Sequence, residues 1–378
     1  MKILFLVYHG FSEVSGISKK IHHQVKGLRE NGYEVHLCYY GYAENGHKCR
    51  YIDDEVIEDY GKGLFAGLRQ RIDYECIYEY CKLNGVHLVY ARCFQNANPW
   101  LIRLFKRLRK LGIKTVTEIP TYPYDAEFVG FPFITRVNLK IDQLFRNRLS
   151  KQMDAIVTFS DAEQIFGQRT IRISNGVDFD SIPLHDYHPL SDGAIHLIGV
   201  AEVHYWHGFD RLIAGMGEYY KNTSKPRSIF FHIVGGVWKS EMYDSMHAPG
   251  FVELMDRYGI RDKVIFHGQL FGEELNRVFN QCCFAVGSLG RHRSGIKTIK
   301  TLKNREYATR GIPFIYSETD SDFDDKPYII KASPDESPIN IQEILDFIDH
   351  NKFAPQEIRK TVEKLSWKIQ MKRVVEET

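Results

Sequence analysis

Two stretches of the sequence combine residue types that suit anionic or hydroxyl-rich ligands. The first runs from residue 287 to 315 and opens with a glycine-rich turn that carries basic side chains. Backbone N–H groups and cations placed ahead of a helix N-terminus are what a diphosphate needs. The residues that suggest this chemistry are Gly287, Gly290, Arg291, His292, Arg293, Gly295, Lys297, Lys300 and Lys303.

The three lysines recur at intervals of three residues, which on a helix would keep them near one face. That helix is predicted to end at Arg310-Gly311, and Pro313 opens the next strand. The alternative is a solvated charged face, which most lysine runs are. We favour phosphate binding because the glycine-rich turn precedes the lysines.

The second stretch, residues 117–127, follows a predicted strand and is rich in acidic, aromatic and proline residues. At the carboxyl end of a strand, carboxylates could accept hydrogen bonds from sugar hydroxyls while a tyrosine ring stacks on a sugar face. The alternative is a structural loop stiffened by Pro120 and Pro123. The candidate acceptor-binding residues are Glu118, Tyr122, Asp125 and Glu127.

The elements that position these stretches follow an alternating strand and helix pattern, which predicts an α/β fold with two Rossmann-like, doubly wound domains. Such sheets bind ligands at the carboxyl ends of their strands, and two sheets facing each other would form a cleft. The predicted divisions are an acceptor domain at 1–178, a linker at 179–193, a nucleotide-sugar domain at 194–354, and a C-terminal helix at 355–378 that crosses back to the first domain.

The stretch Glu306-Tyr307-Ala308-Thr309-Arg310-Gly311-Ile312-Pro313-Phe314-Ile315 resembles the signature of the retaining sugar-nucleotide transferases of GT-B fold, glycosyltransferase family 4. That signature has two glutamates separated by seven residues. Glu306 takes the place of the second, and Thr298 stands where the first is expected. The resemblance implies that Glu306 holds the ribose hydroxyls of a nucleotide, that the reaction retains anomeric configuration, and that no divalent metal takes part.

A second part of the resemblance lies between Ala201 and Leu212. Glu202 and His207 stand where the family has the Arg and Lys that grip the diphosphate. The Trp206-His207-Gly208-Phe209-Asp210-Arg211 version is similar to capsule and surface-polysaccharide transferases. We hypothesise that Lys300 and Lys303 replace the missing charge. The alternative is that Trp206 packs a hinge and His207 caps a helix.

The Ser15-Gly16 turn matches the glycine loop of the family, where a helix N-terminus faces the donor phosphates. The resemblance thus implies donor binding by Gly16, Trp206, His207, Lys297, Lys300, Lys303 and Glu306. The candidate catalytic residues are Lys303, Glu306 and Glu118.

These observations predict transfer of a hexose from a nucleoside-diphosphate sugar, UDP- or GDP-linked, to a hydroxyl of a growing surface glycan or a lipid-linked acceptor. The nucleotide sugar is a co-substrate, and no other cofactor is expected. Two alternatives stay open, a catalytically idle binding relative and a sugar-nucleotide epimerase of the same fold. A Rossmann oxidoreductase is disfavoured because neither half has a Gly-x-Gly-x-x-Gly turn after a strand.

The charge and the cysteine content limit where the protein is expected to be located and what it is expected to bind. The net charge of +2 gives no reason to expect nucleic acid, and seven cysteines without metal or disulfide spacing indicate a reducing, cytoplasmic setting. No metal site is expected. From Trp100 to Lys151 there are eleven Lys/Arg and four Asp/Glu, which suggests contact with the inner face of an anionic membrane. The apolar residues Ile141, Leu144, Phe145 and Leu149 are predicted to pack into the core.

Overall fold

The computed structural model describes residues 1–11, 15–93, 95–125, 133–237, 242 and 249–378. The chain forms two compact units. The first unit consists of Met1–Gly176 and Leu365–Thr378, and the second unit consists of Val177–Lys364. Each is built from strands and helices in alternation, as the sequence pattern predicts.

In the described part of the first unit, a nine-stranded sheet has the order β4-β3-β2-β1-β5-β6-β7-β9-β8. Its strands are β1 Lys2–Leu6, β2 Glu34–Tyr42, β3 Lys48–Ile52, β4 Glu55–Gly61, β5 Leu88–Ala91, β6 Lys114–Ile119, β7 Ala155–Thr158, β8 Gln164–Ile165 and β9 Gln168–Arg172. The helices are α1 Gly16–Glu30, α2 Gly63–Ile72, α3 Glu75–Leu83, α4 Pro99–Lys110, α5 Phe133–Ser150 and, at the C-terminus, α12 Trp367–Glu377. Strands β2, β1, β5, β6, β7 and β9 pair in parallel.

The described part of the second unit has a six-stranded parallel sheet of order β12-β11-β10-β13-β14-β15. Its strands are β10 Ile195–Val200, β11 Ile229–Val234, β12 Val264–Gly268, β13 Phe284–Val286, β14 Phe314–Tyr316 and β15 Ile329–Lys331. The helices are α6 Phe209–Asn222, α7 Phe251–Tyr258, α8 Gly272–Gln281, α9 Leu302–Arg310, α10 Ile341–His350 and α11 Pro355–Lys360.

The strand orders fix where each unit can bind a ligand. In the first unit the chain moves from β1 to β2 on one side and from β5 to β6 on the other, so the direction reverses between β1 and β5. In the second unit the same reversal lies between β10 and β13. Loops leave neighbouring strands in opposite directions at such a switch point, which opens a crevice at the carboxyl ends of the strands.

The predicted C-terminal helix at 355–378 is not continuous. Helix α11 ends at Lys360, a 3-10 turn spans Glu363–Leu365, and α12 begins at Trp367. The hydroxyl of Ser366 accepts a hydrogen bond from the backbone N–H of Ile369 and so caps a separate helix.

Helix α12 packs closely on α1, and glycine makes this possible. A Cβ atom added at Gly27 would lie 2.7 Å from the backbone carbonyl carbon of Trp367. The indole of Trp367 is buried in the core of the first unit. The lack of a side chain at Gly27 therefore lets the C-terminal helix cover that core.

We predict that Gly27→Ala lowers the free energy of unfolding by about 1–3 kcal/mol, because the added methyl group meets backbone atoms that are unable to move aside. Chemical denaturation measures the change. Gly16→Ala is the matched control in the same helix, since a Cβ atom there meets nothing within 4 Å. An unfolding free energy that rises in both variants would show that the contact is looser than described.

Candidate functional site

The residues singled out between 287 and 303 lie at the switch point of the second unit. Residues 201–208 leave the carboxyl end of β10, and residues 287–301 leave the carboxyl end of β13 and lead into α9. Leu289 donates its backbone N–H to the carbonyl oxygen of His207 at 2.8 Å, which joins the two loops. The fold thus places both sequence stretches at one edge of the sheet.

The expectation that three lysines share one helical face is wrong. Helix α9 begins at Leu302, after Lys297 and Lys300. The backbone of Thr319 bonds to both Lys297 and Ile299 and holds this segment extended, beside the residues that follow β14. As a result Lys297 is exposed, Lys300 is buried, and Lys303 stands in the first turn of α9.

Lys303 has the electrostatic character expected of a binding cation. Its Nζ is buried and donates no hydrogen bond to any described residue. Burial, and then the nearby charge of Arg291, lowers the pKa of Lys303 to about 7, whereas Glu318 acts in the opposite sense. Burial also raises the pKa of Glu318. An anion beside Lys303 would restore its charge.

Other buried polar atoms around Lys303 also lack hydrogen-bond partners among the described residues. They are Ser288 Oγ, Thr301 Oγ1, Asn304 Oδ1 and Glu318 Oε2. Nearly all buried polar groups in folded proteins are hydrogen-bonded. A group of them without partners at a switch point therefore indicates that ligand atoms or water complete their bonding.

His207 is neutral and acts as a hydrogen-bond acceptor. Burial, followed by the charges of Lys303 and Arg291, lowers the pKa of His207 well below its ordinary value. Its Nδ1 accepts a hydrogen bond from the backbone N–H of His204 at 2.9 Å, so it stabilises the turn Tyr205–His207. A neutral imidazole does not replace the positive charge of a lysine, and the cations that act on His207 are Lys303 and Arg291.

Trp206 lies next to these cations. The guanidinium of Arg291 is 5.6 Å from the centre of a Trp206 ring, and the ring of His204 stacks on Trp206 with centroids 4.4 Å apart. The geometry therefore brings Trp206, His207, Arg291 and Lys303 together. The interdomain hinge and donor-binding explanations of Trp206 both stay open.

Glu306 lies one turn after Lys303 on α9 and is partly exposed. Its Oε1 accepts hydrogen bonds from Nε and Nη2 of Arg310 at 3.0 and 2.9 Å. No described residue donates to Oε2 of Glu306. One oxygen is thus fixed by the protein, and the other is available to a hydroxyl group.

The basic turn also contains a structural ion pair that sequence reasoning did not separate from the binding cations. Arg293 donates to both carboxylate oxygens of Asp210 at 2.8 and 2.7 Å, and also to Glu336. His292 contacts Glu336 as well. Arg293 therefore ties the turn to α6, whereas Arg291 points toward the lysine.

Two of the candidate acceptor residues of the first unit, Asp125 and Tyr122, lie close together, because both lie beside Phe166, whose ring centre is 4.4 Å from the Arg146 guanidinium. Asp125 forms an ion pair with Arg146 at 2.6 Å, and Tyr122 packs edge-on against Phe166. Glu127 lies outside the described residues. Gly16 is the first residue of α1, whose N-cap is Ser15. Glu118 is fully buried among charged and polar side chains.

No family model and no curated protein matches the sequence. Solved structures match over almost the whole chain. Sucrose-phosphate synthase from Thermosynechococcus elongatus has a TM-score of 0.62 and 14% identity, covering 100% of this chain and 98% of that chain. The catalytic domain of starch synthase IV from Arabidopsis thaliana, bound to ADP and acarbose, has a TM-score of 0.61 and 12% identity, covering 99% and 98%.

The chain has the GT-B fold. This confirms the predicted fold class, whereas membership of glycosyltransferase family 4 and the capsule type stay predictions. The GT-B neighbours also include a candidate UDP-N-acetylglucosamine 2-epimerase from Listeria monocytogenes, with a TM-score of 0.53 and 11% identity, covering 99% of this chain and 94% of that chain. At these identities the likeness establishes the fold alone.

We predict that Lys303→Met stabilises the protein, because it removes a buried ammonium group that lacks a hydrogen-bond acceptor. The pKa of Lys303 is lowered from 10.5 to about 7, so the unfolded chain binds more protons between these values and stability rises with pH across that window. The melting temperature of the variant should exceed that of the wild type by about 2–4 °C near pH 7, and the difference should shrink toward pH 10.

Lys221→Met is the matched control, since Lys221 is an exposed lysine of the same unit. It should leave the melting temperature within a degree of the wild type. A loss of stability in Lys303→Met would mean that the ammonium group has a structural partner.

Proposed function

We propose that the protein is a glycosyltransferase that moves a hexose from a nucleoside-diphosphate sugar to an acceptor hydroxyl. The observation that carries the proposal is the buried Lys303 Nζ, without a described acceptor, at the switch point of a GT-B unit. Lys303 and Arg291 form the cationic part of the donor site, and Trp206 and His207 lie beside them.

The proposed division of roles follows from the chemistry of each group. Lys303 and Arg291 bind the diphosphate, and Lys300 adds charge nearby. The free Oε2 of Glu306 accepts hydrogen bonds from the ribose hydroxyls. Catalysis consists largely of stabilising the negative charge that the diphosphate gains as the bond to the sugar breaks, which preorganised cations in a dry site do well.

We propose retention of configuration without a divalent metal. In a front-face reaction the leaving phosphate oxygen takes the proton of the acceptor hydroxyl, so a protein base is not required. Lys303, whose pKa is lowered to about 7 by burial, becomes charged when the diphosphate of the donor binds beside it, and that charge then stabilises the additional negative charge of the leaving group.

Nucleotide binding tests the donor site. In titration calorimetry without added metal, Lys303→Met should weaken binding of UDP or GDP by about tenfold or more, since a charged hydrogen bond to phosphate is lost. The affinity for uridine or guanosine should change much less. Lys221→Met is the control. Equal losses for nucleoside and nucleoside diphosphate would refute the phosphate role of Lys303.

We propose that the acceptor is a surface glycan or a lipid-linked saccharide, reached at an anionic membrane face. No helix of the described residues is long and apolar enough to cross a membrane. The support for peripheral contact is a surface on α2 and α5. Together with α4 these helices contain eleven Lys/Arg and a single acid, the buried Asp142.

The exposed face of these helices is apolar as well as basic. Contrary to the expected core packing, Ile141 and Leu144 are exposed, and on α2 Leu64 and Phe65 are 92% and 84% exposed. Arg71 of α2 donates a hydrogen bond to Asn138 of α5, which joins the two helices. Exposed apolar residues among basic ones are typical of segments that insert into an anionic lipid interface.

We predict that the protein sediments with vesicles containing phosphatidylglycerol and much less with phosphatidylcholine vesicles. Replacing both Leu64 and Phe65 by Ser should weaken binding to the anionic vesicles about tenfold or more, because burial of their apolar area is lost. Leu83→Ser, an exposed apolar residue of α3, is the control. If the Leu64/Phe65 double variant and Leu83→Ser bind the anionic vesicles equally well, the surface on α2 and α5 does not bind the membrane.

A sugar-nucleotide epimerase is the second candidate function, because one solved structure with the same fold is named as a UDP-N-acetylglucosamine 2-epimerase. An epimerase consumes the donor without an acceptor, whereas a transferase needs one. A catalytically idle binding relative would bind the nucleotide sugar but leave it unchanged, with or without an acceptor. Proton NMR of the sugar nucleotide, with and without acceptor, separates the three, because an epimer has the same mass as its parent but a different spectrum.

A further inference from the structure

The switch point of the first unit holds its own cluster of buried charges. Arg92 immediately follows β5, Glu118 stands near the end of β6, and Lys20 and Gln24 project from α1, the helix that follows β1. All are buried or nearly so. The cluster therefore occupies the first unit's equivalent of the place where Lys303 lies in the second.

Glu118 is saturated by its neighbours. Its Oε1 contacts Lys20 Nζ at 3.3 Å and accepts from Arg92 Nε at 3.0 Å. Its Oε2 accepts from Gln24 Nε2 at 2.7 Å and from the Tyr90 hydroxyl at 2.5 Å. Burial alone would raise the pKa of Glu118, but Lys20 and Arg92 outweigh it and bring the pKa to about 2. This carboxylate holds the cations in place and has no capacity left for a substrate hydroxyl.

The cations are not saturated in the same way. Lys20 has three N–H donors and Arg92 has five, and Glu118 is the only described acid that pairs with either. Two positive charges thus share one negative charge in a buried setting, which is costly without a further anion. Burial, partly offset by Glu118 and reinforced by Arg92, lowers the pKa of Lys20 to about 8.

Packing fixes the direction of Lys20. Its Nζ lies 3.6 Å from the centre of the Phe159 ring and 5.8 Å from that of Trp367. His9 follows β1, and its pKa is lowered by burial and, to a smaller extent, by the charge of Arg92. Gln24 Oε1 is buried there without a described hydrogen-bond donor, so the site offers an acceptor beside the cations.

We propose that Lys20 and Arg92 form an anion-binding subsite in the first unit, which takes a phosphate or carboxylate group of the acceptor saccharide. Gln24 Oε1 accepts a hydrogen bond from a neighbouring hydroxyl of the same ligand, and Glu118 is a positioning residue. The term acceptor rests on the proposed transferase function, but anion binding does not depend on it. The acidic, hydroxyl-binding acceptor site expected from Glu118 is thereby replaced by a cationic one.

The test uses the Lys303→Met protein, in which the donor site is weakened. Inorganic phosphate, glucuronate and glucose are titrated at constant ionic strength, and the melting temperature is followed. Phosphate or glucuronate should stabilise the protein, whereas glucose should not. Adding Arg92→Gln should reduce the apparent affinity about tenfold or more, and Arg92→Lys should recover part of it. Arg109→Gln, an exposed arginine of α4, is the control.

Loss of the anion response in Arg92→Gln but not in Arg109→Gln supports the subsite. An unaltered response in Arg92→Gln, or no response beyond that to chloride in the starting protein, overturns it. The affinity of Arg92→Gln alone for UDP or GDP separates the two sources of an anion. An unchanged affinity for UDP or GDP supports binding of the acceptor's anionic group by Lys20 and Arg92. A tenfold loss of that affinity would assign these two residues to the donor diphosphate instead. Failure of nucleotide binding in the wild type would refute the proposed function without affecting the phosphate and glucuronate titrations.

Discussion

A parallel sheet sends the chain out of every strand at the same edge, and this constraint determines where charge collects in the protein. Successive connections turn away from each other between β1 and β5 and between β10 and β13, and such diverging loops open a crevice over the strand ends. Each of these two places holds a lysine whose buried ammonium group is incompletely neutralised, Lys20 in one unit and Lys303 in the other. Both units thus place a buried lysine at the switch point of their sheet.

The two lysines differ in what surrounds them. Lys20 is next to an ionised carboxylate that four donors hold, so its position is fixed before any ligand binds. Lys303 has a carboxyl neighbour, Glu318, whose pKa is raised by burial, and burial followed by the charge of Arg291 lowers the pKa of Lys303 itself. Such groups lower the stability of the protein, and folded proteins tolerate them mainly where a ligand compensates.

The sequence pattern predicted the parts of the fold that depend on apolar periodicity. Both faces of a parallel strand are buried, so such a strand is a continuous apolar run that can be recognised in the sequence, as in β1 and β13. The hairpin β3–β4 was missed, because its strands mix charged and apolar residues at the sheet edge. Its turn, Asp53-Asp54, has positive φ at both residues but lacks the glycine that signals such turns.

The site was predicted in its location but not in its detail. The glycine-rich turn and Lys303 were predicted from residue type. The pairing of Thr319 with residues 297–299 holds the lysine segment extended, and it depends on a distant residue that follows β14. In the first unit, Lys20 and Gln24 stand four residues apart beside the apolar face of α1, next to Ile21 and Val25. Polar residues on the buried side of a helix were the available signal.

The packing of Trp367 against Gly27 and Gly176 has a consequence for synthesis of the protein. Because residues 365–378 belong to the first unit, the second unit is an insertion in it, and the first unit lacks α12 until the second unit has been translated. Domains ordinarily fold in order from the N-terminus as they leave the ribosome. Here part of the core of the first unit, beside α1, stays uncovered while the second unit is made, and α12 completes that core only afterwards.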